Sequence, residues 1–283
     1  MTTFRIGIPS KGRLAEAAAS LLNEAGLSFR RQDRSLFARC RDTNVEITFL
    51  RTDDIPVLCA EGAIDLGISG SDLVAESGAD VDIRQHLGIG KCRLAICVPQ
   101  DSPSGGVGQL SGKRVATSFP QITEAFLRDG GVQARLVPLS GSVEVMISLG
   151  VADAIVDLVE TGSTLAANRL RILQDVGHYE TVLIQNRHRN EPELADRIVR
   201  RVEGVVIARS YSLLEYNVPR EKLAEAEQIT PGFNSPTVSS LEDSQWCAVR
   251  AMVKRGAVIE IMEQLEQLGA SAILETQIRN CRL

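Results

Sequence analysis

Apolar and polar positions alternate with two different periods along the first two-thirds of the chain. Short apolar runs at 4–9, 45–50 and 92–99 contain β-branched residues and have the length of buried strands. Between such runs lie segments such as 14–26, where apolar residues recur every three or four positions and predict an amphipathic helix that ends at Gly26. Strands that alternate with helices predict an α/β fold with a largely parallel sheet.

A second set of alternating elements follows the first. Strands are predicted at 113–120 and 134–141, helices at 122–131 and 143–150, and a further strand begins at 151. The apolar run at 178–187 predicts a strand that returns the chain to the first set. We therefore expect two α/β lobes with a cleft between them.

The final part of the chain has a different order of elements. Strands are predicted at 202–218, 235–241, 246–254 and 272–281, with helices at 220–230 and 257–269. The resulting order, β-α-β-β-α-β, is that of a ferredoxin-like domain. A length of about 75 residues is sufficient for a separate small domain.

The composition of the chain limits which ligands it is expected to bind and where in the cell it is expected to work. The chain has 283 residues, with 31 basic and 36 acidic side chains and a formal net charge of −5. A general nucleic-acid binder is not expected without a basic face, and an anionic small ligand has to be met by a few local Lys or Arg side chains. No apolar stretch approaches the ~18 residues of a membrane span. The six cysteines lack CxxC spacing and predict reduced thiols in a cytoplasmic protein rather than a zinc site.

The stretch VADAIVDLVETGSTL, at 151–165, begins like a buried strand and ends in a Gly–hydroxyl loop. Gly162 allows close approach of the backbone, and the loop can donate backbone and hydroxyl hydrogen bonds to a phosphate. The carboxylates of Asp153 and Asp157 are poor phosphate ligands but suit sugar hydroxyls or Mg²⁺. A phosphorylated sugar fits the combination, while a plain helix N-cap formed by Ser163 or Thr164 explains the spacing equally well.

A second candidate site is the turn IPSKGRL at 8–14, where Lys11 and Arg13 stand between a strand and a helix. Two cations at a helix N-terminus oppose the helix dipole, which favours an anionic ligand over ordinary solvated charge. Arg51 and Asp72 are weaker candidates, because a strand-end Arg and an N-cap Asp are also common structural features.

Together these segments resemble the long form of the ATP phosphoribosyltransferase family. The family signature runs without a mismatch through Glu144, Gly150, Ala152, Ile155, Asp157, Leu158, Thr161, Gly162, Thr164 and Leu165. The resemblance extends over essentially the whole chain, including PSKGRL, LRTDDIP, DLGISGSDLV, ATSFP, ITPGFNSPTVSSL and AILETQIRNCRL.

The resemblance implies a fold and a domain organisation. The expected fold is a two-lobed, periplasmic-binding-protein-like (type II) α/β catalytic region with a cleft, followed by a ferredoxin-like (ACT-like) regulatory domain. The expected boundaries are 1–90 with 178–204 for the first catalytic lobe, 91–177 for the second lobe with its PRPP-binding loop, and 205–283 for the regulatory domain.

The resemblance also implies an activity. The family transfers phosphoribosyl from 5-phosphoribosyl 1-diphosphate (PRPP) to N1 of ATP with Mg²⁺, releasing diphosphate, in the first step of L-histidine biosynthesis. Histidine is the expected feedback inhibitor, and a homo-oligomer, dimer or hexamer, is the expected assembly. Such a displacement needs positioning and electrostatics rather than a protein nucleophile, which agrees with the lack of a nucleophile triad in the sequence.

Site residues follow from the same resemblance. Asp153 and Asp157 are expected to hold the ribose hydroxyls and, with Lys11 and Arg13, to be catalytic. The residues expected around the 5-phosphate form one loop: Glu160, Thr161, Gly162, Ser163 and Thr164. The residues expected to meet the diphosphate and ATP lie in the other lobe: Lys11, Gly12, Arg13, Arg51, Gly70 and Asp72. Mg²⁺ is expected on the substrate phosphates, without an assigned protein ligand.

The predicted histidine site lies in the C-terminal domain. Its expected residues are Glu215, Asn217, Phe233, Ser235, Thr237 and Ala272. Asn217 departs from the acidic residue expected to meet the amino group of the ligand, so weaker binding is expected unless Glu215 compensates.

Three alternative interpretations remain open from the sequence. A cytosolic ligand sensor built from the same lobes would bind without turnover. Another phosphoribosyltransferase would use a different nitrogenous acceptor. The C-terminal domain could serve protein interaction without binding a small ligand.

Overall fold

The computed structural model describes residues 3–32, 35–41, 43–160, 162–188 and 191–282. The chain divides into two compact units, Met1–Ala19 with Ser28–Ala195, and Ser20–Leu27 with Asp196–Leu283. The three-part domain boundaries given above stay a prediction. In the described part of the chain, no helix is both long and apolar enough to cross a membrane.

The first elements of the first lobe are β1 (Phe4–Pro9), α1 (Arg13–Glu24), β2 (Phe37–Arg39), β3 (Val45–Leu50), α2 (Ile55–Ala60), β4 (Leu66–Gly70), α3 (Ser71–Ser77) and β5 (Val81–His86). The lobe contains the strands predicted at 4–9 and 45–50 and a helix close to the one predicted at 14–26, together with elements that were not predicted, such as β2, α3 and β5. Strand β1 pairs in parallel with β3 and β4. The central strands are buried because helices cover the sheet, as in other parallel sheets.

The second lobe is formed by one continuous segment. Its elements are β6 (Cys92–Pro99), β7 (Arg114–Thr117), α4 (Pro120–Asp129), β8 (Arg135–Pro138), β9 (Ala154–Val159), α5 (Ser163–Ala167) and β10 (Leu170–Tyr179). The helix predicted at 143–150 is wrong in extent: only Val143–Met146 forms a short 3₁₀ helix. The chain then returns to the first lobe as β11 (Thr181–Asn186), so the strand predicted at 178–187 is two strands, each in a different sheet.

Apart from the additional edge strand β2 of the first lobe, both lobes have the same strand order. The sheets run β2-β3-β1-β4-β11-β5 and β10-β6-β9-β7-β8. In each sheet, a strand that has crossed from the other lobe lies antiparallel between two strands of the host lobe: β11 between β4 and β5, and β6 between β9 and β10. This is the type II periplasmic-binding-protein topology, and it confirms the fold predicted for the catalytic region.

The C-terminal elements confirm the predicted ferredoxin-like order. They are α6 (Pro192–Ser210), β12 (Tyr211–Pro219), α7 (Leu223–Ile229), β13 (Thr237–Ser240), β14 (Trp246–Lys254), α8 (Val258–Leu268) and β15 (Ser271–Gln277). The antiparallel sheet runs β13-β14-β12-β15. Alternate residues of β12, such as Leu214 and Tyr216, are buried in a core that includes Leu265 of α8. The strand predicted at 202–218 is wrong in its first half, because α6 continues to Ser210.

Candidate active site

The first cavity has a volume of about 610 Å³ and is lined by residues of both lobes. Lys11, Gly12 and Arg13 enter it from the turn after β1, and Thr52 from the turn after β3, so these residues lie at the carboxyl ends of parallel strands. Leu158 comes from β9 of the second lobe. The charged lining residues are Lys11, Arg13, Asp72, Lys91, Glu160 and Glu180.

Asp72 is a buried carboxylate in the wall of this cavity. It belongs to the first turn of α3, and burial raises its pKa although the backbone N–H groups of Asp72 and Leu73 donate to it. Gly70 makes this arrangement possible, because a Cβ at this position would overlap Oδ1 of Asp72. The structure therefore brings Gly70 and Asp72 together in the wall of this cavity.

The second cavity, of about 500 Å³, lies at the carboxyl end of β9. Its lining includes Gly162, Ser163 and Thr164. Gly162 has a left-handed φ of 79° and precedes α5, a conformation that suits glycine. Because α5 has five residues, its dipole is smaller than the sequence suggested, and the loop itself has to supply the hydrogen-bond donors. Thr161 lies outside the described residues.

Besides Glu160, the carboxylates of Asp157 and Glu144 line the second cavity. Asp157 comes from β9 and Glu144 from the 3₁₀ helix Val143–Met146. Burial is the main cause of a raised pKa for Asp157, and the negative charge of Glu144 raises it further. Oδ1 of Asp157 accepts the N–H of Leu158 at 2.8 Å. From the sequence, Glu144 was predicted only as part of the family signature, without a role in the site.

Asp153 lies at the opposite end of β9 from the loop, immediately before the strand begins. Its carboxylate accepts the backbone N–H of Arg114 at 2.9 Å and pairs with the Arg114 guanidinium at 3.1 Å. The Arg114 side chain holds the pKa of Asp153 below its usual range. Asp153 is not among the described residues that line either cavity. The structure therefore does not place it beside Asp157 and instead gives it a contact that joins β7 to β9.

Arg13 and Glu160 form a contact across the cleft. Nη2 of Arg13, at the start of α1, lies 3.0 Å from Oε2 of Glu160, which follows β9 in the other lobe. Arg13 lines both cavities, and so does Glu160. Both side chains are exposed, so the pair contributes little to stability and can exchange partners. Arg51 lies next to Thr52 but is not itself among the described lining residues.

Several lining residues were missed from the sequence, namely Lys91, Cys92, Glu180 and Thr181. Lys91 and Glu180 belong to the two segments that connect the lobes, and Cys92 and Thr181 directly follow them. The glycine-containing run LGIGK at 87–91 was the available signal for the first of these segments. Burial raises the pKa of Cys92 to about 11, with smaller contributions from Asp72 and Glu160, so its thiol is neutral near pH 7 and poorly nucleophilic.

Four of the predicted histidine-site residues lie on three strands of the C-terminal sheet. Glu215 and Asn217 are alternate residues of β12, and Glu215 pairs with Arg250 of β14 at 2.6 Å. Thr237 of β13 is in register with Arg250. Ala272 has a left-handed φ of 50°, where the pairing of β15 with β12 shifts register between Glu215 and Asn217.

Two further predicted residues lie in the segment between α7 and β13. Phe233 is 47% exposed and packs edge-on against Tyr211, with ring centroids 5.9 Å apart. Ser235 is exposed nearby. The aromatic contact places Phe233 against β12, the strand that carries Glu215.

The arrangement defines a class of enzyme. A two-lobed cleft combines a Gly–hydroxyl loop, two neighbouring carboxylates and several cations, and its one lining thiol is neutral. Such a site handles a phosphorylated sugar and a polyphosphate by positioning and electrostatics, as a glycosyl transfer requires.

Comparison with known proteins identifies the family. A family model described as ATP phosphoribosyltransferase matches residues 51–204, and one described as HisG, C-terminal domain, matches residues 208–280. An ATP phosphoribosyltransferase of Rhodopirellula baltica is 65% identical over 280 residues, covering 99% of this chain and 94% of that protein. One of Saccharopolyspora erythraea is 43% identical over 281 residues, covering 99% and 100%.

A solved structure agrees with these matches. The ATP phosphoribosyl transferase (HisG:HisZ) complex from Thermotoga maritima has a TM-score of 0.64 and 28% identity, covering 72% of this chain and 98% of that one. The chain belongs to the ATP phosphoribosyltransferase family. It is an enzyme whose substrates are ATP and PRPP, and its reaction is the first step of histidine biosynthesis.

Proposed function

We propose that the second cavity holds the phosphoribosyl group of PRPP. The observation that carries this proposal is that the loop from Gly162 to Thr164 and the carboxylates of Asp157 and Glu144 line one cavity. The loop donates to the 5-phosphate, while the carboxylates accept hydrogen bonds from the ribose hydroxyls. Glu144 thus takes the place that the sequence assigned to Asp153.

The first cavity then receives ATP and the diphosphate of PRPP. Lys11, Arg13 and Lys91 line it and supply positive charge for phosphate oxygens. Arg13 lines both cavities, so it is suited to the diphosphate at the junction. The ion pair between Arg13 and Glu160 has to break as the diphosphate binds. Because both side chains are exposed, breaking this pair costs little free energy.

The reaction breaks the bond between C1 of the ribose and the diphosphate oxygen and forms a bond from C1 to N1 of adenine. Positive charge develops on the ribose, and the carboxylate of Asp157 stabilises it. Negative charge develops on the diphosphate, and Lys11 and Arg13 stabilise it. The adenine then carries a positive charge, which is lost with a proton from its amino group.

Magnesium is proposed as the cofactor. The described residues contain no group of three or more His, Cys, Asp or Glu side chains that could hold a metal. Asp157 and Glu144 fit a smaller share of an oxygen shell, with substrate phosphates and water supplying the rest. Mg²⁺ would there neutralise charge on the departing diphosphate.

The test of the reaction is a turnover assay with purified protein, Mg²⁺, ATP and PRPP. The ultraviolet absorbance of the N1-ribosylated adenine is followed, with pyrophosphatase added to remove diphosphate. The proposal expects product only when both substrates and Mg²⁺ are present. Full turnover after chelation of Mg²⁺ would contradict the proposed cofactor, and an unchanged rate in Asp157→Asn would contradict the proposed sugar site.

We also propose that histidine inhibits through the C-terminal domain and that the enzyme works as a homo-oligomer in the cytoplasm. Glu215 and Ala272 lie at the register shift between β12 and β15, and Thr237 is in register with Arg250, the ion-pair partner of Glu215. The six cysteines are unpaired, as in reducing compartments. Histidine titration of wild type and Ala272→Leu tests the regulation. Equal inhibition of both proteins would place the histidine site elsewhere. The oligomeric state is measured separately, by light scattering with and without histidine.

A further inference from the structure

The two chain segments that connect the lobes lie side by side. Residues 87–91 lead from β5 to β6, and Glu180 alone separates β10 from β11. The N–H of Leu87 donates to the carbonyl of Thr181 at 3.0 Å, and the N–H of Thr181 donates to the carbonyl of Ile89 at 2.9 Å. Gly90 has a left-handed φ of 63°, which favours glycine, and a Cβ there would lie 2.8 Å from Oγ1 of Thr181.

Every polar group of Glu180 is engaged at this crossing. Its Oε1 lies 3.1 Å from Nδ1 of His86, and its Oε2 accepts the N–H of Gly88 at 2.9 Å. Its backbone N–H donates to Oγ of Ser71 at 3.1 Å, and its carbonyl accepts the N–H of Ser71 at 2.9 Å. The side chain therefore joins the two connecting segments, while the backbone joins them to the start of α3.

Helix α3 carries part of the cavity wall and touches both lobes. Ser71 directly precedes Asp72, the buried carboxylate of the first cavity. Leu73 packs against the core of the second lobe. The carboxylate of Glu76 accepts the N–H groups of Gln121 and Ile122 at the start of α4, at 2.9 and 3.0 Å. A shift at the beginning of α3 would therefore move the cavity wall relative to the second lobe.

We propose that Glu180 is a positioning residue for phosphoribosyl transfer. It holds the two connecting segments in one arrangement and, through Ser71, sets the position of Asp72 between the lobes. Glu180 lines the first cavity, but both of its carboxylate oxygens already have protein partners, so it acts through its neighbours and not on a substrate. The inference rests on the proposed placement of ATP in that cavity.

The test compares the variants Glu180→Gln, Glu180→Ala and His86→Ala in the full chain. Gln keeps an oxygen that accepts from Gly88 and an amide that can donate to His86, so positioning predicts that it retains most of the activity. Ala removes both contacts, and we expect kcat to fall by about 10- to 100-fold and KM for ATP to rise more than KM for PRPP. His86 does not line the cavity, yet His86→Ala should change the same constants in the same direction.

Amide hydrogen exchange supplies a readout that does not depend on catalysis. Exchange at Gly88 and Ser71 should be faster in Glu180→Ala than in wild type and close to wild type in Glu180→Gln. A Gln variant as inactive as the Ala variant would show that the charge of Glu180 acts directly on a substrate or metal. Unchanged kinetics in Glu180→Ala, or unchanged exchange, would also overturn the proposal. Failure of the substrate placement would show separately in the Asp157 variant.

Discussion

Asp153, immediately before β9, and Asp157, within β9, should respond in opposite ways to replacement by Asn. Asp153 precedes the strand and is held by Arg114, whereas Asp157 faces the second cavity. Changing each to Asn removes one negative charge and keeps the side-chain shape. We expect Asp153→Asn to lower stability and keep activity, and Asp157→Asn to keep or raise stability and lose activity.

The stability effect of Asp153→Asn follows from its lowered pKa. A carboxyl whose pKa is depressed in the folded state contributes stability above its unfolded pKa, and loses it as pH falls through the folded value. At pH 7 the whole contribution is present and Asn removes it. Because the pair with Arg114 is half-exposed, we expect a loss of about 1 kcal/mol in the free energy of unfolding, or about 2–4 °C in Tm.

Asp157→Asn has the opposite sign, because burial and Glu144 raise the pKa of Asp157. A raised carboxyl pKa contributes stability below the unfolded pKa, and that stability is lost as pH rises through the folded value. The ionised form is therefore unfavourable to folding at pH 7, and Asn removes this cost while Oδ1 can still accept from Leu158. Loss of the charge facing the ribose should lower kcat/KM for PRPP by about 100-fold.

Thermal melts and initial rates on the same preparations check both variants. The Tm difference between wild type and Asp153→Asn should shrink as the pH is lowered, since wild-type Asp153 then becomes neutral. Asp157→Asn should melt no lower than wild type at pH 7. An inactive Asp153→Asn of normal Tm, or an active Asp157→Asn, would refute the assignment of the sugar site.

Three further substitutions test other features. Gly162→Ala should raise KM for PRPP, because the left-handed φ costs Ala about 1–2 kcal/mol, although the added Cβ would contact no other atom. An unchanged KM for PRPP in initial-rate measurements would argue against a role for the loop. Gly70→Ala should raise KM for ATP by displacing Asp72, with little change in Tm, and an ATP titration that matches wild type would contradict this. Tyr216→Phe removes a buried 2.7 Å hydrogen bond to Thr230, so urea denaturation should show a loss of about 1 kcal/mol while kcat stays at the wild-type value.

The distance between Asp153 and Asp157 could be predicted from the sequence. Residues four apart in a strand point to the same face, yet at about 3.3 Å per residue they stand about 13 Å apart. Only the residue nearer the carboxyl end can reach the loop after the strand. The contribution of Glu144 was less accessible, because it comes from a different element and reaches the cavity through the tertiary fold.

The end of α6 shows where local preference misleads. The segment 202–208 is rich in β-branched and small residues, and it predicts a strand when considered alone. In the structure, Ala195, Ile198, Val202, Val205 and Ala208 are buried at helical spacing. The helical spacing of apolar residues was present in the sequence beside the local strand preference, and tertiary packing decides between helix and strand.

The position of β11 has a consequence for synthesis on the ribosome. This strand fills the gap between β4 and β5, although almost a hundred residues separate β5 from β11 along the chain. Until residue 186 has left the ribosome, the edges of β4 and β5 that pair with β11 have no partner. By that time the whole second lobe is already available to fold. We expect the nascent chain to build its second lobe first and to need protection of the waiting edges from aggregation.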